Sequence, residues 1–198
     1  ETIRLRRPAE ERLDSFIGTM LADTERLHYL INNLLMAARL EQRRKPAERR
    51  LTDISALVLD YVEQERSKLP QGGNISLEAE SGVKAMVDPE EMGMVLRNLF
   101  ENAVLYSPGS PDISVKLARS GNTIAISVTD RGRGIEKKDQ KKVFGMFYRV
   151  LSPGDYVRGT GLGLYIVDTV VKSHGGTVHV TSEGLGRGCT FTVKLPAL

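Results

Sequence analysis

Two asparagines, Asn98 and Asn102, stand four residues apart in the stretch Arg97-Asn98-Leu99-Phe100-Glu101-Asn102-Ala103-Val104-Leu105-Tyr106-Ser107. On a helix that spacing puts both amides on one face. Neutral amide oxygens side by side suit a magnesium ion that keeps most of its waters and is also held by phosphate oxygens. Two asparagines on a solvated face would show the same spacing, so the pair is informative only in company. Asp130-Arg131-Gly132-Arg133-Gly134-Ile135 places a carboxylate at the end of an apolar alternation and two glycines in the turn after it. The carboxylate can accept a hydrogen bond from an exocyclic amine such as adenine's, and the glycines let a flat ring approach the backbone. A glycine-rich surface turn is the competing explanation for so short a motif. Gly159-Thr160-Gly161-Leu162-Gly163-Leu164 opens a further helix, where backbone N–H groups unobstructed by Cβ atoms form an anion site fit for a polyphosphate. It is not a Walker loop, because no Gly-Lys-Ser/Thr follows, and Rossmann spacing is absent.

These pieces need elements to hold them. The asparagine helix has a marked start: Asp88 as N-cap, Pro89 at the first helical position and Glu91 as the capping-box acid. Its buried stripe is Met92, Val95, Leu96, Leu99 and Ala103, with the asparagines at the margin. Before it, Ile54, Leu57, Val58, Tyr61 and Val62 mark an amphipathic helix terminated by Pro70 and Gly72-Gly73. Ile75, Leu77 and Ala79 then alternate as a strand, with residues 83–87 as a hairpin partner across Ser81-Gly82. After it, Ile113, Val115 and Leu117 alternate, as do Ile124, Ile126 and Val128, in a hairpin that feeds into Asp130. Residues 163–174 form a helix closed by Gly175-Gly176, and residues 177–181 and 190–195 are the last two strands. Strands and helices mix without regular alternation, which predicts an α+β fold, a two-layer sandwich with helices on one face of a largely antiparallel sheet.

The first 45 residues read differently. Leu13, Ile17, Met20, Thr24, Leu27, Ile31, Leu34 and Ala38 recur at steps of four and three, and Phe16, Leu21, Leu30 and Leu35 widen the seam. So broad an apolar face needs partners, and a helical hairpin that dimerises into a four-helix bundle supplies them. His28 lies beside this seam and reads as a surface or bundle-edge histidine. Arg43-Arg44-Lys45-Pro46 ends the helix, and residues 42–50 read as a linker. The expected division is a partial hairpin over 1–45 and a mixed domain over 46–198.

Composition bounds the rest. The 198 residues carry a formal charge of +3, with Lys and Arg interspersed among Asp and Glu, so neither nucleic acid nor a membrane surface is indicated as a partner. Cys189 is the only cysteine, which excludes an intramolecular disulfide and a cysteine-rich zinc cage and leaves it as a small residue packing in a strand. No apolar run approaches the roughly 20 residues needed to cross a bilayer, and the chain reads as soluble although its parent need not be.

Taken in order, the asparagine helix, Asp130-x-Gly-x-Gly-Ile, the aromatic Val143-Phe144-Gly145-Met146-Phe147-Tyr148-Arg149 and Gly-Thr-Gly-Leu-Gly-Leu resemble the N, first glycine, F and second glycine boxes of sensor histidine kinases. Their ATP-binding (Bergerat-type) fold is shared with gyrase, a heat-shock chaperone and mismatch-repair ATPases. The likeness runs over residues 51–196. It implies ATP and Mg2+ as cofactors, with Asp130 on the adenine amine, Asn102 on the magnesium, and Asn98 and Tyr106 bordering the phosphates. Arg149 would reach the γ-phosphate, and Asn98, Asn102 and Arg149 would be the catalytic set. Gly132, Gly134, Ile135, Phe144, Arg158, Gly159, Thr160, Gly161, Leu162 and Gly163 would complete the nucleotide site, with residues 145–158 as a mobile lid. Hydrolytic relatives carry a glutamate where this chain has Asn98, which implies slow futile hydrolysis and phosphate kept for a protein acceptor.

Residues 9–41 are similar to the second helix of the family's dimerisation and histidine-phosphotransfer hairpin. Ile3-Arg4-Leu5-Arg6-Arg7-Pro8 has a faint likeness to the acceptor motif with Ile in place of His, but a first helix ending at Pro8 leaves no room for the other arm. Residues 1–7 therefore read as the tail of the first helix, with the acceptor upstream. The resemblance further implies a homodimer, a response-regulator receiver domain as partner, and a cytoplasmic location. Two departures stand out: Leu105 where the family usually has Lys or Arg, and Gly145-Met146 in place of an acidic-plus-polar pair. Leu105 leaves open a nucleotide-binding scaffold of the same fold without efficient transfer, and Arg158 is a candidate substitute for the missing cation.

Overall fold

The structure, a computed structural model, describes residues 48–150 and 160–198, together with Leu13, residues 16–21, Thr24, Leu27, Ile31, Leu34, Leu35 and Ala38. Those positions from 13 to 38 are helical, and their large apolar side chains are exposed, from Leu13 at 48% to Met20 at 68%. The readings of residues 1–7, His28 and most of the 42–50 linker lie outside the described residues.

From residue 50 the order is β1 (Arg50–Asp53), α1 (Ile54–Arg66), β2 (Asn74–Ala79), β3 (Lys84–Val87), α2 (Pro89–Leu105), β4 (Asp112–Ser120), β5 (Thr123–Asp130), α3 (Gly163–Ser173), β6 (Thr177–Thr181) and β7 (Cys189–Pro196). The main sheet runs β2-β4-β5-β7-β6, antiparallel except for the parallel β2–β4 pair. Alternation along these strands sends Ile113, Val115, Leu117, Ile124, Ile126, Val128, Phe191, Val193 and Leu195 to one buried face. On the opposite face the hydroxyls of Ser127 and Thr192 stand 3.1 Å apart and those of Thr129 and Thr190 3.0 Å. One apolar and one polar sheet face is the two-layer α+β sandwich that the alternation predicts.

Three helices cover the apolar face. Helix α1 buries Ile54, Val58 and Val62, α2 buries Met92, Val95, Leu96, Leu99, Phe100 and Ala103, and α3 buries Ile166, Val167, Val170 and Val171. Asp53 caps α1 by accepting from the Ala56 N–H at 3.0 Å, and Arg66 ends it four residues before Pro70. Asp88 caps α2 by accepting from the Glu90 and Glu91 N–H groups. The bond from the Glu91 N–H is the side-chain half of the expected capping box. The Asp88 N–H donates to Nε2 of buried His174 at 3.0 Å, while His174 Nδ1 lies 2.8 Å from the Val170 carbonyl, so the start of α2 is tied to the end of α3.

Two further expectations are corrected. Residues 74–79 and 84–87 do not form a hairpin: β2 lies parallel beside β4, and β3 pairs antiparallel with β1 in a separate two-stranded sheet. The turn between them belongs to α1 instead. Ser55 Oγ donates to the Glu80 carbonyl and accepts from the Val83 N–H, and the Ile54 N–H donates to the Val83 carbonyl. The end of the linker is also not loop, because Arg50 already pairs with Val87.

Phe100 is 1% exposed, with its ring 5.4 Å from that of Tyr61, so it locks α2 to α1. Phe100→Ala should therefore cost about 3–5 kcal/mol. A urea unfolding curve checks this, and an unchanged midpoint would contradict the packing.

Candidate functional site

Asp130 ends β5 and is 6% exposed. Its Oδ1 accepts from the Gly132 N–H at 2.8 Å and from the Cys189 N–H at 3.2 Å, so the turn after β5 and the start of β7 both orient it. Both bonds end on one oxygen, which leaves Oδ2 for a donor in the cavity that Asp130 lines. Burial pushes this carboxyl above its ordinary value, and the two backbone N–H bonds pull it back only in part. Gly132 is needed here: a Cβ would stand 2.6 Å from the Tyr106 carbonyl oxygen and 2.7 Å from Asp130 Oδ1. The same turn is stitched to the end of α2, because the Arg133 N–H donates to the Tyr106 carbonyl and the Arg133 guanidinium lies 5.9 Å from the Tyr106 ring centre. Burial, reinforced by the charge of Asp130, raises the Cys189 thiol to about 12, so it stays protonated.

The cavity of about 510 Å3 runs from this carboxylate along α2 to the start of α3, a volume in the range of small-molecule sites. Asn102, Tyr106, Asp130, Gly134, Ile135, Arg149, Thr160, Gly161 and Gly163 line it, so one concavity gathers residues spread over more than sixty positions. At its far end α3 begins with no side-chain cap, and Thr160 Oγ1 accepts from the Leu162 N–H at 3.0 Å just before it. First-turn amides without a cap offer donors and a positive dipole end to an anion.

Asn98 departs from the sequence reading, which put it at a helix margin. It is 5% exposed, and its Nδ2 donates to the Met94 carbonyl at 2.8 Å. Its Oδ1 is buried with no partner, and so is Asn102 Nδ2. A Cβ on Gly163 would stand 2.7 Å from Asn98 Oδ1, so the start of α3 leaves room for that oxygen. Asn102 lines the cavity, and the oxygen of its amide is the atom that could join a hydrated hard cation shared with phosphate, whereas its unmet Nδ2 is a donor that calls for an acceptor such as a phosphate oxygen. Among the described residues no group of three or more His, Cys, Asp or Glu is placed to hold a metal, so an ion here would draw its remaining ligands from water and the bound anion.

The other expected residues have different roles or fall outside. Gly132 holds Asp130 without lining the cavity. Phe144 meets Phe191 edge to face at 6.5 Å, and Leu162 is 2% exposed in the core, so both support the site from behind. Arg158 and Gly159, with the rest of residues 151–159, lie outside the described residues. The base of the expected lid is held by Tyr148, whose hydroxyl donates to Asp139 at 2.8 Å, and Phe147 there adopts φ +60°. Sequence reasoning missed the Cys189 N–H on Asp130, Val143 and Phe191 in the cavity lining, and the lining by Glu65, Lys68, Leu69 and Pro70. Alternation in β7 marked Phe191 as buried, but nothing in the sequence pointed residues 65–70 at this cavity.

A family model described as "Histidine kinase-, DNA gyrase B-, and HSP90-like ATPase" matches residues 87–198. The chain is 33% identical over 183 residues to the sensor-like histidine kinase SenX3 of Mycolicibacterium smegmatis, covering 91% of this chain and 47% of that protein. The structure of full-length ShkA in complex with AMPPNP superposes with TM-score 0.77 at 24% identity, over 98% of this chain and 40% of that one. The histidine kinase AdeS of Acinetobacter baumannii gives 0.73 at 22% identity, over 97% and 87%. The chain thus spans about half the length of the SenX3 relatives it matches.

Because folding raises the Asp130 carboxyl above 3.8, the ionised form costs stability at neutral pH, and that cost disappears once wild type is itself protonated. Asp130→Asn should therefore raise the melting temperature of the unliganded protein at neutral pH, by a margin that shrinks on acidification toward 3.8. Thermal melts across that pH range check it, and a margin that grows on acidification would contradict the assignment.

Proposed function

The chain belongs to the family of histidine kinase-, DNA gyrase B- and HSP90-like ATPases, and from that premise we propose that it is the ATP-binding catalytic part of a two-component sensor histidine kinase. Its division is a partial dimerisation hairpin over residues 1–45 and a catalytic domain over 46–198. The observation that carries the reading is the cavity joining Asp130 to Asn102 and the uncapped start of α3. Asp130 Oδ2 accepts from the adenine amine, the Tyr106 side closes over the nucleoside, and the amides of Gly163 and Leu164 receive phosphate oxygens. Asn102 is the metal ligand, with Asn98 behind it. Bound there, Mg2+ would neutralise phosphate charge and orient the terminal phosphoryl group.

Phosphoryl transfer asks for positioning and charge compensation more than covalent help, and these residues supply positioning. Arg149 reaches the terminal phosphate. Asn98 cannot take a proton from water because a neutral amide is no base, so the site retains ATP until a protein nucleophile arrives. That nucleophile is a histidine on the hairpin's first helix, and the phosphate passes on to an aspartate of a response-regulator receiver domain. Dimerisation through the exposed apolar face around Ile17, Met20 and Leu27 brings the helices together. Among the described residues no helix is long and apolar enough to cross a membrane. We assign this domain to the cytoplasm. The non-transferring scaffold rests on Leu105 alone, and the sensor kinases among the relatives do not favour it.

This chain should bind Mg-ATP and leave itself unphosphorylated, yet transfer phosphate to a separately supplied hairpin carrying the acceptor histidine. Radiolabelled γ-phosphate followed on gels, with acid and base treatment, checks this. Acid-labile phosphate accumulating on His28 would contradict the assignment of the acceptor.

A further inference from the structure

The α2 wall of the cavity beyond Asn102 is Glu101, Leu105 and Val104, none of which brings a positive charge. Leu105 is 39% exposed and presents an aliphatic surface where a polyanion would lie. Among the described residues the cavity is lined by three cationic side chains: Lys68, Arg133 and Arg149. Arg133 is engaged at the nucleoside end, over the Tyr106 ring. The other two are Arg149 from the aromatic stretch and Lys68 in the turn just after α1.

We propose that Lys68 is a phosphate-binding residue of this site, supplying from the end of α1 the positive charge that α2 lacks at Leu105. The inference rests on the ATP-site reading and adds a residue to it. Three features of Lys68 suit the role. It lines the same cavity as Leu105, Asn102 and Arg149. Its ammonium rides on a flexible four-carbon stem and is 64% exposed, so it can swing without breaking packing. Its partner Glu65, 2.7 Å away and only 17% exposed, holds it at the cavity rim while the site is free of ligand. Exchanging Glu65 for phosphate leaves a carboxylate that is only 17% exposed without its cation, a cost that the phosphate charge has to offset. A polyphosphate carries more charge than one carboxylate and wins the ammonium.

Titration calorimetry with Mg-ATP, and displacement of a fluorescent ATP analogue by adenosine, test this on wild type and three variants of the whole chain. Lys68→Met should weaken Mg-ATP binding about fivefold, as expected for one partly solvated charge pair, and leave adenosine displacement unchanged. Lys68→Arg should retain wild-type affinity for Mg-ATP, and adding Leu105→Lys to Lys68→Met should restore it. Unchanged Mg-ATP affinity in Lys68→Met would overturn the proposal, as would an equal loss for adenosine and Mg-ATP, which would mark a structural effect. A wild type that binds neither ligand would overturn the nucleotide site itself, and this proposal with it.

Discussion

Burying an amide with one end unsatisfied costs about 1–3 kcal/mol, and this fold does so in the middle of its central helix. Asn98 is anchored through Nδ2 to the Met94 carbonyl while its Oδ1 stays buried without a donor, and Asn102 Nδ2 one turn on is in the same condition. Apolar side chains at these positions would pack α2 with no such penalty. The cost is tolerated because α2 is otherwise secured on several sides, by Asp88 at its start, by Phe100 against Tyr61, and by a stripe of large apolar side chains facing the sheet. The constraint extends to α3, which has to begin with a residue lacking Cβ beside Asn98 Oδ1 and does so with Gly163.

The other half of the site is built around a second buried polar group. Asp130 is oriented by backbone N–H groups from two segments that meet only in the folded sheet, the turn at Gly132 and the first residue of β7. That turn is fastened to the C-terminal end of α2 through the Tyr106 carbonyl. A single helix therefore sets the distance between the Asp130 carboxylate and the asparagine pair. Tyr148 lines the same cavity and is held by its hydroxyl, which donates to Asp139 at 2.8 Å.

Much of this was legible in the sequence where a local signal sufficed. Asp88-Pro89 and the apolar stripe located α2, and the paired alternations around Gly121 located the β4–β5 hairpin. The ordered glycine motifs located the two ends of the cavity. What stayed hidden depended on partners distant in the chain. Ile75 and Leu77 alternate in the same way whichever strand they pair with, and Ile54 and Ser55, at the first turn of α1, divert residues 80–83 away from a hairpin. Strand β1 is four residues with two charges, and it resembles a linker until β3 lies beside it. Asn98 looked marginal because the periodicity of α2 alone does not reveal that α3 will cover it. The turn at residues 68–70 gave no sign of facing the nucleotide cavity.

In the proposed function the neutral asparagine pair gives the arrangement its character: Asn102 would share a metal with phosphate, and Asn98, where hydrolytic relatives carry a glutamate, would offer water no base. The most direct test is the magnesium dependence of ATP affinity, measured by calorimetry in excess Mg2+ and in EDTA, for wild type and Asn102→Ala. The account predicts that Mg2+ tightens ATP binding to wild type and that Asn102→Ala loses this gain while keeping its metal-free affinity. An equal gain from Mg2+ in both proteins would contradict it.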